Sequence, residues 1–421
     1  SRFTVSGFQS LKAVSADECR PFDIERMGLN LGEAAATMVL SREMSLQGTG
    51  FCVERGAIRN DAFHVSSPSK NGEGAWLALK AIEASLPPHH PSSITSHPSP
   101  LSNLAFINAH GTATMFNDQM ESVAIERAGL SGVPVNGLKG YYGHTLGAAG
   151  VLETVISLAA LTDHTILATR GFQERGVSGK ISVTTENSTT AKTSFVKMIS
   201  GFGGGNAAIL VAPTLPTLGP METKGTQPAI RPQKDVPLLR HTHRVTINPA
   251  AAIVDGKPLP DPVALTALYK RYVDHYPKYY KMDGLSRLGF VASELLLRAE
   301  GENGGHEAGE PSHEDRAIVL FSSSSSIATD RKYIETIDHD KFFPSPSLFI
   351  YTLPNIVTGE IAMRNGYHGE TSLFILPRRD DSLMQKIIQA TFQDSAVKSV
   401  ITGWVDYYSD KNYKADLAII K

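Results

Sequence analysis

Cysteine is nearly absent from the sequence, with only Cys19 and Cys52 among 421 residues. Two cysteines are too few for a disulfide-built scaffold, and they fit a chain kept in the reducing cytoplasm. No apolar run approaches the roughly 18 to 20 residues of a membrane span, so we expect no membrane insertion. The opening residues, SRFTVSGFQS, have no basic stretch followed by an apolar core, which excludes a secretory signal at this position.

An excess of charge of one sign is also missing. The chain has 40 Lys and Arg against 42 Asp and Glu, a net charge of −2, which argues against nucleic-acid binding. Its hydrophobic content of 41%, with 36 Gly and 24 Pro, is typical of a globular protein of two or three domains. Because the first residue is serine rather than methionine, we expect a truncated or processed form.

The order of predicted elements indicates two α/β blocks. Residues 1–213 alternate between strand and helix patterns, with a strand predicted over 34–43 and helices predicted over 74–86, 119–129 and 147–161. Residues 214–243 are rich in Pro, Gly and Thr without periodicity, which predicts a linker. Residues 244–421 form the second block, with helices predicted over 265–280 and 285–299. The Pro-, Ser- and His-rich segment 87–100 is predicted to be a surface insertion.

Three stretches of the first block carry candidate chemistry. INAHGTATMFNDQMES (107–122) delivers His110 from an apolar strand into a tight turn, and GLKGYYGHTLGAAG (137–150) presents His144 just before a helix. SGFGGGNAAILV (200–211) is a glycine-rich turn between two strands. Two imidazole N–H groups aimed at one substrate oxygen would form an oxyanion hole, which suits a reaction through an enolate or a tetrahedral oxyanion.

Each stretch also has a simpler explanation. A histidine after a strand is more often a structural residue of the turn or core, and a glycine-rich turn is usually only a turn. A zinc site formed by His110, Asp118 and His144 is a further alternative, although no HExxH-like or CxxC-like spacing supports it. The residues and their spacing alone leave these alternatives open.

The order of the motifs resembles a known family. NAHGTAT with an aspartate eight residues after its histidine, then LKGYYGHTLGAAG, then GFGGGNAA resemble the C-terminal half of β-ketoacyl-acyl-carrier-protein synthases. CRPFDIERMGLNLGEAAATMVL (19–40) resembles the segment that precedes these motifs. The resemblance implies a thiolase-like fold with α/β/α/β/α layers. It also implies a decarboxylating Claisen condensation, in which a malonyl-carrier thioester loses CO2 and attacks an acyl group held on a cysteine.

The resemblance implies roles for individual residues. His110 and His144 would stabilise the enolate oxygen, and Lys139 with Glu153 would be an ion pair supporting the second histidine. Asp118 and Glu121 would hold the turn after His110, and Phe202 would be a gate beside the nucleophile. The residues expected to contact substrate are Thr112, Thr114, Gly203 and Gly204. Gly205 stands where the family usually has threonine, so a hydroxyl contact at that position is not expected.

The nucleophile expected from the family has no counterpart in the sequence. Cys19 belongs to the structural segment CRPFD, and Cys52 lies among apolar residues, so we expect a buried, inert thiol there. Stretches of the second block, such as 317–326 and 345–376, resemble the family's N-terminal half. After Gly369 the sequence reads ETSLFILP, without the nucleophilic cysteine. This block therefore resembles a degenerate, chain-length-factor-like half.

Two functions follow from the resemblance. The first is a ketosynthase of fatty acid, polyketide or polyene synthesis, and the second is a non-catalytic, chain-length-factor-like partner subunit. The unusual order of halves indicates either a piece of a longer fusion, which we favour, or a permuted unit. An acyl carrier protein is the expected partner, and its phosphopantetheine arm arrives as part of the substrate. The resemblance implies no metal and no organic cofactor. We expect a dimer with a complete ketosynthase or with a second copy, through the apolar segment 348–376, although that segment could equally be core.

Overall fold

The computed structural model describes residues 1–41, 50–84, 100–214, 240–301, 313–338, 342 and 344–421. Each of the two predicted blocks contains its own mixed β-sheet with helices packed against it. Within these ranges, every helix is too short or too polar to cross a lipid bilayer. Residues 87–99 of the predicted insertion and residues 215–239 of the predicted linker lie outside the described residues.

The described residues of the first block form eight strands, and six of these strands make one sheet with helices on both sides. Its strands are β1 (Phe51–Asn60), β2 (Leu104–Asn108), β3 (Pro134–Asn136), β4 (Thr165–Ile166), β5 (Ser182–Val183), β6 (Ser188–Thr189), β7 (Ser194–Ser200) and β8 (Gly205–Pro213). Its helices are α1 (Arg2–Ser10), α2 (Glu73–Glu83), α3 (Met115–Arg127), α4 (Lys139–Tyr142) and α5 (Ala149–Thr162). The sheet order is β1-β8-β7-β2-β3-β5, and β4 pairs with β6 in a separate ribbon.

Strand β2 lies inside this sheet and is buried along its whole length, as expected for the apolar sequence LAFIN. It runs parallel to both neighbours, pairing Ile107 with Val135 of β3 and Asn108 with Lys197 of β7. Parallel strands end at the same edge of a sheet. The residues that follow β2, β3 and β7 are therefore brought together at one edge.

The second block is a seven-stranded sheet. Its strands are β9 (His241–Asn248), β10 (Ala251–Val254), β11 (Lys257–Pro258), β12 (Arg316–Ser322), β13 (Thr371–Ile375), β14 (Ser399–Ser409) and β15 (Asn412–Ile420). Its helices are α6 (Leu265–Tyr272), α7 (Gly284–Glu300), α8 (Ile327–Ile334), α9 (Pro346–Tyr351), α10 (Ile356–Asn365) and α11 (Asp381–Thr391). The order is β11-β10-β9-β15-β14-β12-β13, so β13 lies at one edge.

The segment 348–376 divides between core and surface. Helix α10 contributes Val357 and Ile361 to the core of the second block, and Ile356 at its start is almost completely buried as well. By contrast, β13 occupies a sheet edge, and Ile375 exposes 54% of its surface. For α10 the core alternative is therefore correct, and only β13 is placed to pair with another chain.

Three sequence predictions of local structure differ from the structure. The helix predicted over 265–280 ends at Tyr272, because Asp274 and His275 adopt left-handed backbone conformations and Pro277 follows. The described part of the strand predicted at 34–43 is irregular, and Val39 there is 88% exposed. Strand β9 begins at His241, inside the predicted linker.

The two blocks contact each other at the ends of β1 and the β7–β8 turn. Arg59 of β1 is buried, and its Nε and Nη1 lie 3.1 Å and 2.6 Å from carboxylate oxygens of Glu314 and Asp394 in the second block. The backbone N–H of Asn60 donates to the carbonyl of His368 over 3.1 Å. Residues of both blocks are thus fixed next to the glycine-rich turn.

Candidate active site

The turn after β2 is held by two carboxylates from the first turns of α3. The Glu121 carboxylate accepts hydrogen bonds from the backbone N–H groups of His110 (2.6 Å) and Gly111 (2.7 Å). Asp118 accepts from the N–H of Thr112 (2.9 Å) and, with its other oxygen, from that of Phe22 (2.7 Å). The spacing of the motif therefore has a structural cause, because α3 returns both side chains to the turn that presents His110.

The second histidine follows the short helix α4. The backbone N–H of His144 donates to the carbonyl of Asn30 over 2.7 Å, and the N–H of Leu146 donates to the His144 Nδ1 over 3.1 Å. Leu146 itself has φ of +55°, a conformation that is strained for a non-glycine residue. The turn thus fixes both the position of the imidazole and the nitrogen that accepts a hydrogen bond.

The two imidazoles are neighbours, with ring centres 5.0 Å apart and planes at 81°. The Lys139 Nζ lies 3.2 Å from the His110 Nδ1, and an ammonium can only donate, so this Nδ1 is an acceptor. The His144 Nδ1 is an acceptor as well, from Leu146. Both rings therefore carry their proton on Nε2, and each offers one N–H donor.

Both imidazoles are neutral at physiological pH. Burial, followed by the positive charge of Lys139, lowers the pKa of His110 well below its usual value. The same two causes lower the pKa of His144 to about 3. The pair is therefore an uncharged set of two N–H donors, which is the arrangement expected of an oxyanion hole.

Three buried charged side chains, Lys139, Glu153 and Lys197, form a charge chain next to His110. Glu153 of α5 contacts Lys139 over 2.7 Å and also forms an ion pair with Lys197 of β7. Lys139 donates further to the carbonyl of His110, and Lys197 donates to that of Ala109 over 3.2 Å. Burial alone would raise the pKa of Glu153, but Lys197 and Lys139 outweigh it and lower that pKa. The carboxylate is thus ionised between two cations.

This geometry corrects one expectation from the sequence. Lys139 and Glu153 do form an ion pair, but the lysine hydrogen-bonds to His110 and not to His144. The reason is that Lys139, the first residue of α4, lies next to the turn after β2. His144 instead follows Gly143, beyond the end of α4. Lys197 was not anticipated, although a lysine within the otherwise apolar strand FVKMIS was a signal for a buried charge.

The zinc alternative loses its carboxylate ligand. Both oxygens of Asp118 are occupied by the backbone N–H groups of Thr112 and Phe22, so they are not available beside the histidines. Among the described residues, no group of three or more His, Cys, Asp or Glu side chains is arranged to hold a metal ion.

The remaining predicted residues lie around the same edge of the sheet. The hydroxyls of Thr112 and Thr114 are 2.8 Å apart within the His110 turn, and Thr112 is buried. Phe202, Gly203 and Gly204 form the β7–β8 turn, where the ring of Phe202 stacks with that of Phe8 at 6.2 Å. A separate cavity of about 570 Å³ lies in the second block, and none of these residues lines it.

The two cysteines differ from each other in their surroundings. Cys19 is buried, and its thiol lies 3.8 Å from the carbonyl of Thr112. Burial and the nearby Asp118 raise the pKa of Cys19 to about 12, so its reactive thiolate form is not populated at neutral pH. The prediction of a buried thiol at Cys52 is wrong, because this residue lies exposed on the edge strand β1.

Sequence comparisons link the first block to β-ketoacyl synthases. Residues 51–173 match the family model described as beta-ketoacyl synthase, C-terminal domain. A 3-oxoacyl-[acyl-carrier-protein] synthase 2 of Rhizobium meliloti (strain 1021) is 30% identical over 226 residues, covering 50% of this chain and 51% of the relative. Nodulation protein E of Rhizobium sp. (strain N33) is 29% identical over 177 residues, covering 40% and 41%. The resemblance inferred from the motifs is confirmed.

The structural comparison extends over both blocks. The solved structure of PfaC Keto synthase-Chain length factor matches 99% of this chain and 53% of its own, with a TM-score of 0.62 and 15% identity. At this identity the match concerns the fold alone, and it confirms the thiolase-like layered α/β fold. The chain spans about half the length of the curated relatives it matches.

The lowered pKa of Lys197 in the charge chain predicts that the free energy of unfolding rises with pH in the alkaline range. Burial lowers the pKa of Lys197 from 10.5 to about 8 despite the opposing effect of Glu153. Between these values the unfolded chain binds more protons than the folded one, so stability rises with pH. From pH 8 to pH 10, the free energy of unfolding of the wild type should rise by about 2 kcal/mol more than that of Lys197→Met, as measured by urea denaturation.

The matched control is Lys192→Met, which removes an exposed lysine of the same block. Its pH dependence should follow that of the wild type. Parallel curves for the wild type and Lys197→Met would show that Lys197 keeps its proton when folded, contrary to this account.

Proposed function

We propose that the first block performs the decarboxylation step of a β-ketoacyl synthase reaction, within fatty acid or polyketide synthesis, including polyenes. The observation that carries the proposal is the pair His110 and His144, whose Nδ1 atoms both accept hydrogen bonds and whose Nε2–H groups remain for a substrate. Similarity to 3-oxoacyl-[acyl-carrier-protein] synthases supports the reaction class.

The proposed step starts from a malonyl thioester. Its carboxylate leaves as CO2, and the electron pair of the broken C–C bond forms the C=C bond of an enolate. The negative charge develops on the thioester oxygen, which accepts hydrogen bonds from the Nε2–H groups of His110 and His144. The enolate carbon then takes a proton from water, which is left as hydroxide, to give an acetyl thioester. When a partner supplies an acyl-cysteine, that carbon instead attacks the acyl carbonyl and releases the thiolate.

The buried charges serve this step by fixing the histidine. Lys139 donates to the His110 Nδ1, which keeps the proton of that ring on Nε2. Glu153 forms ion pairs with both Lys139 and Lys197, which holds Lys139 in place beside the ring. Because both imidazoles are neutral, the pair polarises the oxygen without giving up a proton.

The substrate is proposed to arrive on an acyl carrier protein. Its phosphopantetheine arm would pass Thr112, Thr114 and the backbone of Gly203 and Gly204, with Phe202 as the gate. The proposed chemistry needs no metal and no organic cofactor beyond that arm.

The assay for this proposal is release of CO2 and acetyl-carrier from a malonyl-carrier thioester, followed by mass spectrometry. His110→Ala and His144→Ala should each lower kcat about 100- to 1000-fold, the usual effect of removing one oxyanion donor. His275→Ala is the control, because His275 is 92% exposed and lies in the second block. A wild type without turnover, or histidine variants as active as the control, would rule out this role.

The second block is proposed to be a chain-length-factor-like partner without catalysis of its own. Strand β13 leads into Leu376 and Pro377, where the resemblance would place a nucleophilic cysteine. The fold similarity to PfaC Keto synthase-Chain length factor supports this assignment. A wholly non-catalytic chain is the second candidate, and the absence of a cysteine at this position favours it.

The cysteine chemistry gives a separate prediction. Incubation with an acyl thioester at pH 7 should leave the intact mass unchanged, because Cys19 is buried with a pKa of about 12. Iodoacetamide should label one thiol, at the exposed Cys52, and Cys52→Ala should abolish the label. A stable acyl adduct on Cys19 would identify it as a nucleophile and refute the assignment.

A second copy of this chain is proposed to cover helix α5. This helix has the apolar sequence AGVLETVISLAALT, and its only charged residue, Glu153, faces inward. Val151 and Val155 remain 36% and 39% exposed, and Ala159 continues the same face one turn later. An apolar helix face of this kind is typical of a surface that another protein covers. We therefore place the partner on α5 and a second contact on the edge strand β13.

Sedimentation velocity between 1 and about 100 μM tests this arrangement. The wild type should self-associate through the apolar α5 face, and Val155→Glu should shift the distribution to monomer. Ile375→Glu, on the exposed edge of β13, is the matched variant. If Ile375→Glu alone dissociates the complex, the contact is strand pairing, and a wild type that stays monomeric contradicts the dimer proposal.

A further inference from the structure

The glycine-rich turn between β7 and β8 has each of its central carbonyl groups occupied. The Gly203 carbonyl accepts from the Asn60 side chain over 2.8 Å, and the Gly204 carbonyl accepts from the backbone N–H of Asp61 over 2.7 Å. The N–H of Gly203 donates to the carbonyl of Val65 over 2.7 Å. The turn is thus fixed from one side by the first block.

The carbonyl of Phe202 is held from the other block. The side-chain amide of Asn355, at the N-terminus of α10, donates to it over 2.7 Å. Asn355 is the residue through which the second block hydrogen-bonds to the backbone of the predicted gate. Its own carbonyl caps the start of α10 by accepting from the N–H of Thr358 over 3.1 Å.

Two glycines allow the blocks to approach this closely. A Cβ on Gly203 would lie 2.8 Å from the Asn355 Nδ2, and a Cβ on Gly359 would lie 2.6 Å from the carbonyl oxygen of Gly203. Gly203 also has φ of +86°, which favours glycine. The first turn of α10 therefore packs directly on the backbone of the β7–β8 turn.

The ring of Phe202 is restrained by both blocks. It stacks on Phe8 of α1 at 6.2 Å, and Phe8 packs edge-on against Phe349 of α9 at 5.4 Å. Phe349 is 3% exposed and fills the space above Gly7. Backbone and ring of Phe202 are consequently both coupled to α9 and α10.

We infer that Asn355 is a positioning residue: the second block sets the conformation of the Phe202 turn in the first block through the Asn355 amide and the Gly203–Gly359 contact. This inference rests on the proposed function only in taking Phe202 as the gate for the substrate. It assigns to the nucleophile-free block a direct mechanical connection to the catalytic block, made by a side chain to a backbone carbonyl.

Hydrogen–deuterium exchange of the full chain, read by mass spectrometry, tests the connection. Asn355→Asp keeps the side-chain shape but removes the donor and sets a carboxylate against the Phe202 carbonyl. Amide exchange at residues 201–205 should rise about two- to tenfold, the range for one hydrogen bond. Asn412→Asp is the control, since it makes the same charge change in the second block away from this turn.

Gly359→Ala provides a second variant that cannot act by weakening α10. Alanine is the better helix former, so the amides of α10 should exchange no faster, whereas the new Cβ displaces Gly203 and raises exchange at 201–205. If Asn355→Asp accelerates exchange throughout the second block, that variant has loosened the whole block. The inference is then tested by Gly359→Ala alone. Wild-type exchange at 201–205 in Gly359→Ala overturns the inference.

The decarboxylation assay supplies a functional readout. Asn355→Asp should raise KM for the malonyl-carrier about two- to tenfold and leave kcat within about twofold, because Asn355 does not contact His110 or His144. An equal fall in kcat for this variant would argue against a positioning role. If the wild type itself shows no decarboxylation, the proposed function fails, while the exchange experiment still decides the connection between the blocks.

Discussion

The shared carboxylate of Glu153 is the interaction on which the site depends. It lies between the ammonium groups of Lys139 and Lys197, all three side chains being almost fully buried. Two buried cations without this anion would carry a large desolvation penalty. The carboxylate comes from α5, and the lysines come from α4 and β7, so the charge chain ties three elements to the turn that presents His110. The tautomer of His110 follows from the contact of its Nδ1 with Lys139, and burial together with the charge of Lys139 lowers the pKa of the ring.

Different groups of the protein fix the two histidines in position. The backbone N–H of His110 donates to Glu121 and its Nδ1 accepts from Lys139, whereas the backbone N–H of His144 donates to the carbonyl of Asn30 and its Nδ1 accepts from the N–H of Leu146. In both cases the hydrogen bonds that fix the histidine act on Nδ1 or on the main chain. None of them uses Nε2. Preorganisation is thus achieved without using the atoms that would meet the substrate.

Much of this arrangement could be predicted from the sequence, because motifs with fixed spacing carry it. The histidines, Asp118, Glu121 and the pair Lys139–Glu153 all lie in two short segments, and their grouping follows from strand–turn–helix geometry. Lys197 was missed because its partner lies 44 residues away, which no local spacing encodes. The ends of α6 and the exposure of Cys52 were mispredicted because they depend on backbone conformation and on strand order.

The close contact of Gly203 with Gly359 has an evolutionary consequence. A side chain at Gly359 would displace the backbone of Gly203, and a side chain at Gly203 would displace the Asn355 amide, so a change at either glycine is tolerated only if the opposite block shifts as well. Under the proposed relationship to a nucleophile-bearing half, the second block could lose that residue without any such effect, because chemistry at one turn does not constrain shape at another. Neutral sequence change would therefore remove the reactive residues of that block long before it changed the residues that contact the first block. Relatives that diverge freely around ETSLFILP should still share the two glycines.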